Sequence, residues 1–344
     1  MPPDAAFADD LRARCRELGF SRVGFTSALG APGIVEYDAF LERGHHADMD
    51  WMARGRPPRA DPRQMLPGAT SAVVLGVDYG WPRAPDPGGL TGKVARYAWG
   101  RDYHNLISKR LRKLCAALRA EGVGATWGVD SRPFIERAWA VDAGLGYAGR
   151  NCCTIQPGSG SWFFLAVVLI DRELPPDRPL GRGLERHCGA CTRCFSACPT
   201  GAFVGDGQLD ARRCLSWMTI EHRGPIPMAH REALGRWVFG CDDCQEVCPH
   251  NHRPPTPLEE DLRPRPGHDW LDLERILTED DAAIDARFEG SPLRRPGAVG
   301  LKRNAAVVLG NLGDPAARPC LMRALAHPSA LVQEHARWAL DRLG

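Results

Sequence analysis

The sequence lacks any long apolar run, any excess of charge of one sign and any export signal, and each absence excludes a class of protein. No stretch of the 344 residues approaches the ~20 consecutive apolar positions that span a bilayer. The first twenty, MPPDAAFADDLRARCRELGF, carry acidic residues but neither an apolar signal core nor a twin-arginine pair. A cytoplasmic location with no membrane partner is therefore expected. Lys and Arg number 44 against 42 Asp and Glu, a formal net charge of +2. No global field favours polyanions, and any charge argument has to be local.

The composition, 44% apolar and 25% charged, is that of an ordinary globular protein. Single cores stop growing near ~250–300 residues, so more than one domain is expected. Thirteen cysteines are present. A short secreted chain would use them as disulfides, but this chain is long, has no export signal and concentrates most of them in one segment. That pattern points to metal.

The expected fold class is α+β, in four segments. Residues 1–175 alternate helical patterns with short apolar runs and read as an α/β or α+β domain, with α/β the expectation. Asp9 to Gly19 has helical spacing at Leu11, Cys15 and Leu18, and Arg22–Ala28, Ser71–Tyr79, Ala125–Asp130 and Trp162–Asp171 read as strands. Trp81 to Lys93 is a Pro/Gly loop long enough to suggest function. Residues 176–252 hold the cysteines in a ferredoxin-like pattern. Residues 253–290 form a proline-rich linker, or a strap hugging the surface, with a connecting helix. Residues 291–344 predict three helices, Val299–Leu312, Ala316–Ala326 and Ala330–Leu343, broken by GDP and HP as in a HEAT-type repeat. So few helices cannot bury a core alone and must pack on the rest.

Cys188-x2-Cys191-x2-Cys194-x3-Cys198-Pro199 has the spacing of bacterial ferredoxins, in which three thiolates reach three irons of one cuboidal cluster and the fourth ligates the other. Cys241-x2-Cys244-x3-Cys248-Pro249 is the second run. A complete second run would have cysteine at 238, where Val238 stands, and Cys214 alone lies between the runs to replace it. The pairing that follows is Cys188, Cys191, Cys194 and Cys248 on one 4Fe–4S cluster, with Cys198, Cys214, Cys241 and Cys244 on the other. Two structural zinc sites, each with a set of four cysteines, are the alternative, but three cysteines at x2 spacing crowd one tetrahedral ion. Cys15, Cys115, Cys152, Cys153 and Cys320 sit in apolar or helical contexts and are expected in the core.

Two clusters in one chain form an electron wire, and a bare ferredoxin needs no α/β domain of this size. The sequence resembles the epoxyqueuosine reductases, cobalamin-dependent iron–sulfur enzymes of tRNA modification, essentially from end to end. The resemblance is carried by RADPRQMLPGATSAVVLGVDY (Arg59–Tyr79), RYAWGRDYH (Arg96–His104), VDSRPFIERAWAVDAGLGYAGRN (Val129–Asn151), GSWFFLAVVLID, CGACTRCFSACPTGA, CLSWMTIEHRGPIP (Cys214–Pro227) and FGCDDCQEVCPHN. It implies a two-electron reduction at the wobble position of tRNA, an epoxide becoming an alkene plus water. Cobalamin and the two clusters would be the cofactors, fed by a low-potential electron donor. The resemblance makes residues 1–175 the cobalamin-binding and catalytic domain and the helical tail a tRNA-binding element.

The family's proton donor maps to Asp130, for which a raised pKa would suit the role. Capping of the turn into Pro133–Ala140 is the structural alternative. By the same resemblance Arg59, Trp99, Asn151, Thr154, Ser216 and Thr219 lie near the corrin, with packing or capping as the competing role for each. No D-x-H-x-x-G motif is present to place a histidine below cobalt. His104 is either a ligand or proton relay, or a satisfied structural histidine. From Gly290 onward eight Lys/Arg face three Asp/Glu, a local basic bias suited to phosphates or a solvated helix face. Arg223, Arg294, Arg295, Lys302 and Arg303 are the candidates for tRNA contact, and Arg137 for the modified nucleoside. Competing readings are a corrinoid reductive dehalogenase and a tRNA-binding protein whose clusters are structural.

Overall fold

The computed structural model describes residues 4–180 and 187–344. Its first sheet joins β1 (Arg22–Ser27), β2 (Ser71–Asp78), β4 (Ala125–Gly128) and β7 (Phe163–Ile170) in the order β1-β2-β7-β4, every pair antiparallel. β2 and β7 read as continuous apolar runs because both faces of the sheet are covered. On one face Val73, Leu75, Val168 and Ile170 meet Leu11 and Cys15 of the helix Ala5–Glu17 and Ile107, Leu111 and Leu118 of the helix Tyr103–Ala120. On the other, Ala72, Val74, Val167 and Leu169 meet Phe134, Trp139 and Ala140, the last two from the helix Glu136–Asp142. The expected strands form within two residues of their predicted ends. The expected α/β arrangement does not: with antiparallel neighbours throughout, the sheet is of the α+β kind.

The long helix is amphipathic by spacing, with Leu106, Ile107, Leu111, Leu114 and Leu118 inward. Asp102 caps its first turn, accepting from the His104 amide at 2.9 Å. That cap places Tyr103 and His104 beside the segment leaving β4. Two short ribbons, β5 (Tyr147–Ala148) with β6 (Thr154–Ile155) and β8 (Phe203–Gly205) with β9 (Gln208–Leu209), flank the cysteine segment.

A second sheet crosses the expected boundaries. β3 (Thr91–Val94) lies between β10 (Trp237–Phe239), which is parallel to it, and β11 (Trp270–Asp272), which is antiparallel. Its strands come from three of the four segments, so the boundaries near 175 and 252 divide a sheet. Gly92 makes this pairing tight: a Cβ there would lie 2.9 Å from Leu273 and 3.0 Å from Val238. The end of the Trp81–Lys93 loop is thus a strand. Arg253 to Gly267 is a strap whose one regular turn is Glu260–Leu262, with Leu262 buried. Two helices, Leu273–Thr278 and Asp281–Arg287, follow where one was expected.

The tail forms the three expected helices, Gly297–Leu312, Arg318–Ala324 and Ala330–Leu343. They share one core with the cysteine segment, running from Val94 and Trp99 through Leu215, Val238 and Phe239 to Val307, Val308 and Ala336. The first of them is buried nearly all round, which corrects two expectations. Lys302 is 3% exposed, with its ammonium 2.6 Å from Asp281. Arg303 is fully buried, donating to the carbonyls of Met218, His222 and Gly224. Neither can reach a phosphate, because the helix carrying them is the inner layer of the tail.

Beside them Asn304 donates to the carbonyls of Thr219 and Val238 at 2.9 Å each. Replacing Arg303 with Leu leaves three enclosed carbonyls without its guanidinium. At about 1–3 kcal/mol for each unsatisfied group, Arg303→Leu is expected to lower unfolding free energy by at least about 3 kcal/mol in urea titrations. A loss under ~1 kcal/mol would show that these carbonyls find other partners.

Candidate functional site

The cysteine segment brings its thiols together in two groups. Cys188, Cys191, Cys194 and Cys248 line one cavity of ≈ 110 Å³, together with Arg150, Asn151, Ile155, Arg193 and the loop at Pro249. Burial raises the pKa values of Cys194 and Cys248, and neighbouring thiols add to it. Cys188 and Cys191 act on Cys248, and Cys188 and Cys248 act on Cys194. The second group is linked in the same way. Burial raises Cys214, Cys241 and Cys244, Cys198 acts on Cys214, and Cys214 acts on Cys241 and Cys244.

Cys188, Cys191, Cys194 and Cys248 thus share one cavity, and the fields of Cys198, Cys241 and Cys244 meet that of Cys214. Enclosed thiols become ligating thiolates only against compensating positive charge, which iron supplies. Backbone N–H groups add to this: Ala202 donates to the Cys198 sulfur at 3.2 Å, and Ser216 and Trp217 lower Cys214 from the start of the helix Leu215–Ile220.

Cys15, Cys115 and Cys320 are core residues, each 0% exposed. Cys152 and Cys153 are not. They are half-buried, Cys152 has a left-handed φ of 63°, and their fields reach Cys194, Cys214, Cys244 and Cys248. Burial raises them to about 11 and about 12, with Arg137 opposing. They occupy the turn between the ribbon and the cluster thiols, a non-local placement invisible in an apolar sequence context.

The second constellation lies where β4 ends. Asp130 has a left-handed φ of 51° and a side chain 65% exposed through an open mouth, while protein crowds its other sides. Its Oδ2 accepts from the Tyr103 hydroxyl at 2.5 Å and lies 3.6 Å from His104 Nε2. His104 Nδ1 is 2.8 Å from Asp102 Oδ1. Tyr103 stacks between His104 and Phe164, at centroid distances of 4.1 and 4.0 Å. The helix Glu136–Asp142 has no side-chain cap, so the capping role weighed for Asp130 is not the one it has.

Crowding by protein works to raise the Asp130 pKa, but the bonds from His104 and Tyr103 and the charges of His104 and Arg137 outweigh it, and the net shift is downward. This corrects the expected raised value. His104 moves the other way: burial works to lower it, but Asp102 and Asp130 raise it to about 9. At neutral pH the pair is a carboxylate facing an imidazolium, and the mobile proton sits on His104. Glu136, whose Oε1 accepts from the Asp130 amide at 3.0 Å, is raised to about 8 by burial and then by Asp130. Sequence reasoning missed Asp102, Tyr103 and Glu136, although DYH and the acid of IER lie within the quoted motifs.

The cobalamin candidates divide. Trp99 is 1% exposed with its indole N–H on the Val94 carbonyl, and Thr219 is 0% exposed, donating to Leu215 and accepting from the Gly240 amide. Both are enclosed structural residues, which corrects their expected contact with the corrin. Arg59, Asn151 and Thr154 are buried but keep 8%, 5% and 5% exposure. Arg59 acts on Glu136, Thr154 donates to the Arg137 carbonyl at 3.4 Å, and Asn151 donates to the Cys244 carbonyl at 3.1 Å. Ser216, half-exposed, follows Cys214. This polar border between the second thiol group and Asp130 fits a polar cofactor tail.

Of the basic candidates, Arg137, Arg223, Arg294 and Arg295 are exposed. Arg223 donates to the Arg295 carbonyl at 2.9 Å, Arg295 pairs with Glu221 at 3.0 Å, and Arg295 and Asp130 lie within each other's fields. The basic rim and the carboxylate thus share one face. No helix among the described residues is long and apolar enough to cross a membrane.

Comparisons with known proteins agree with this geometry. Residues 59–134 match the family described as "Epoxyqueuosine reductase QueG, DUF1730", and residues 187–251 match the "4Fe-4S double cluster binding domain". The epoxyqueuosine reductase of Xanthomonas campestris is 41% identical over 353 residues, covering 100% of this chain and 97% of that protein. That of Escherichia coli is 38% identical, covering 94% and 86%. A crystal structure of epoxyqueuosine reductase with an epoxyqueuosine-modified tRNA-Tyr stem loop superposes with a TM-score of 0.91 at 28% identity, covering 98% of this chain and 90% of that one. The Bacillus subtilis enzyme, solved with its catalytic aspartate loop swung out of the active site, gives 0.90 at 28% identity, covering 98% and 91%. The chain carries a double 4Fe–4S cluster domain and belongs to the epoxyqueuosine reductase family.

Proposed function

We propose that this chain reduces the epoxide of epoxyqueuosine, at the wobble position of tRNA, to the alkene of queuosine, with the oxygen leaving as water. The reaction takes two electrons and two protons. One observation carries the reading: a proton-bearing carboxylate–imidazolium array, Asp130 facing His104 at 3.6 Å, stands exposed at the end of β4 in a chain that also carries a double 4Fe–4S cluster domain. Cys188, Cys191, Cys194 and Cys248 would hold the first cluster and Cys198, Cys214, Cys241 and Cys244 the second, and the two would supply electrons singly from a low-potential donor. Cobalamin, when bound, supplies a reduced cobalt centre at the carbon. Arg59, Asn151, Thr154 and Ser216 would hold it.

Asp130 delivers one proton to the departing oxygen, drawn from His104, and the second proton comes from solvent as His104 is reprotonated and the array acts again. Substrate filling the open mouth removes solvent from the carboxylate, which favours its neutral form and draws the proton from His104. Tyr103 and Asp102 orient the two partners. Arg223, Arg294 and Arg295, beside the HEAT-type tail, take phosphates of the anticodon arm, and Arg137 faces the nucleoside.

Anaerobic incubation of the reconstituted protein with epoxyqueuosine-containing tRNA, followed by nucleoside mass analysis, should show a loss of about 16 mass units, one oxygen. Unaltered nucleoside with intact clusters and bound cobalamin would end the reading. Asp130→Asn should cut turnover by at least ~10²–10⁴-fold with cluster content and cobalamin spectrum unchanged. Turnover within about threefold of wild type would remove Asp130 as the donor.

Iron and sulfide analysis should give about eight of each per chain. Cys214→Ala should lose the second cluster first and Cys248→Ala the first, read by electron paramagnetic resonance. Equal retention in both variants would refute the ligand sets.

Turnover should fall as pH rises through about 9, where His104 loses its proton. Asp102→Asn removes one of the two carboxylates that raise His104, while an asparagine still caps the helix, so this alkaline limb should move to lower pH. An unmoved limb in the rate profile would place the proton source elsewhere.

A further inference from the structure

We propose that Glu136 is a latch for Asp130, a positioning residue that holds the proton donor at the mouth through its backbone. The inference rests on the reading of Asp130 as donor and adds the element that keeps it in place. Asp130 is one of three non-glycine residues with positive φ among the described residues, the others being Ala47 and Cys152. Such a conformation is strained for an aspartate and persists only where surrounding bonds hold it.

Two sets of bonds hold Asp130. The carboxylate is held by Tyr103 and faces His104. Those contacts must loosen when the carboxylate turns to the departing oxygen. The bond from the Asp130 amide to Glu136 Oε1, 3.0 Å long, does not involve the reacting group and survives that turn.

Glu136 is well placed for this. It opens the helix Glu136–Asp142, whose Trp139 and Ala140 are locked against Val74, Val167 and Leu169 of the first sheet. A short side chain thus reaches from a rigid base to a strained turn. Burial and the nearby Asp130 carboxylate keep Glu136 in its neutral form below pH of about 8. A neutral acid still accepts from the amide through its carbonyl oxygen, without adding a second negative charge beside Asp130. Arg59 is the cation whose field opposes this shift.

The test uses the full reconstituted chain. Glu136→Gln keeps a carbonyl oxygen at the same reach, and Glu136→Met keeps the volume but removes the acceptor. Glu136→Met should lower kcat on the order of 10–100-fold, leave the KM for tRNA within about twofold, and speed hydrogen–deuterium exchange in the peptide covering 128–134. Glu136→Gln should restore both kcat and slow exchange. A Glu136→Met protein with wild-type kcat and exchange, or a Gln variant no better than Met, overturns the latch. If Glu136→Met fails to fold, Glu136→Asp, one methylene too short, should give the same loss and the same faster exchange, and wild-type behaviour there is equally fatal. Asp130→Asn, assayed alongside, separates the two ideas: an active Asp130→Asn protein defeats the donor reading, whereas the exchange data judge the latch alone.

Discussion

Eight thiols enclosed in one short segment are the constraint on which the rest of the structure depends. Burial raises the pKa values of Cys194, Cys214, Cys241, Cys244 and Cys248, with neighbouring thiols adding to it, so the segment is at ease only when iron compensates the thiolates. A stretch that devotes its interior to thiols and polar turns has little apolar surface with which to build a core. It borrows one. β10 pairs with β3 from the first segment, and the same core continues through Leu215 and Phe239 into the tail helices.

That borrowing explains the buried polar groups. The last turn of the helix Leu215–Ile220 and the loop after it leave carbonyls at Met218, His222 and Gly224 facing inward, and the Arg303 guanidinium collects them. Asn304 does the same for Thr219 and Val238. The tail is therefore a structural partner of the cluster segment on its inner helix, and its exposed basic residues, Arg294 and Arg295 at the leading edge and Arg318, Arg323, Arg337 and Arg342 beyond, lie outside that helix.

The proton array obeys a related rule. A lone imidazolium in a crowded site is disfavoured, yet His104 keeps its charge because two carboxylates flank it. A third carboxyl group, Glu136, is tolerated nearby because it stays neutral. One proton is thus distributed among groups from two elements, the start of the long helix and the turn after β4. The first sheet fixes the distance between them.

The sequence by itself determined the cysteine spacing, the main strands, the tail helices and the motif around Asp130, since each is written in spacing over a few residues. CxxCxxCxxxCP constrains which thiols can share a cluster whatever surrounds it, and β2 and β7 declare their two covered faces in unbroken apolar runs. Only the tertiary structure decided which polar residues are exposed. Lys302 and Arg303 read as a basic pair on a helix, and Trp99 and Thr219 as cofactor contacts, but all four are enclosed by segments that sequence distance keeps apart. It also decided the protonation of Asp130. A carboxylate's pKa depends on what faces it, and His104 meets Asp130 only because β4 and the long helix pack against one another. Spacing is covalent and local, whereas burial and electric field are sums over neighbours that folding alone brings together.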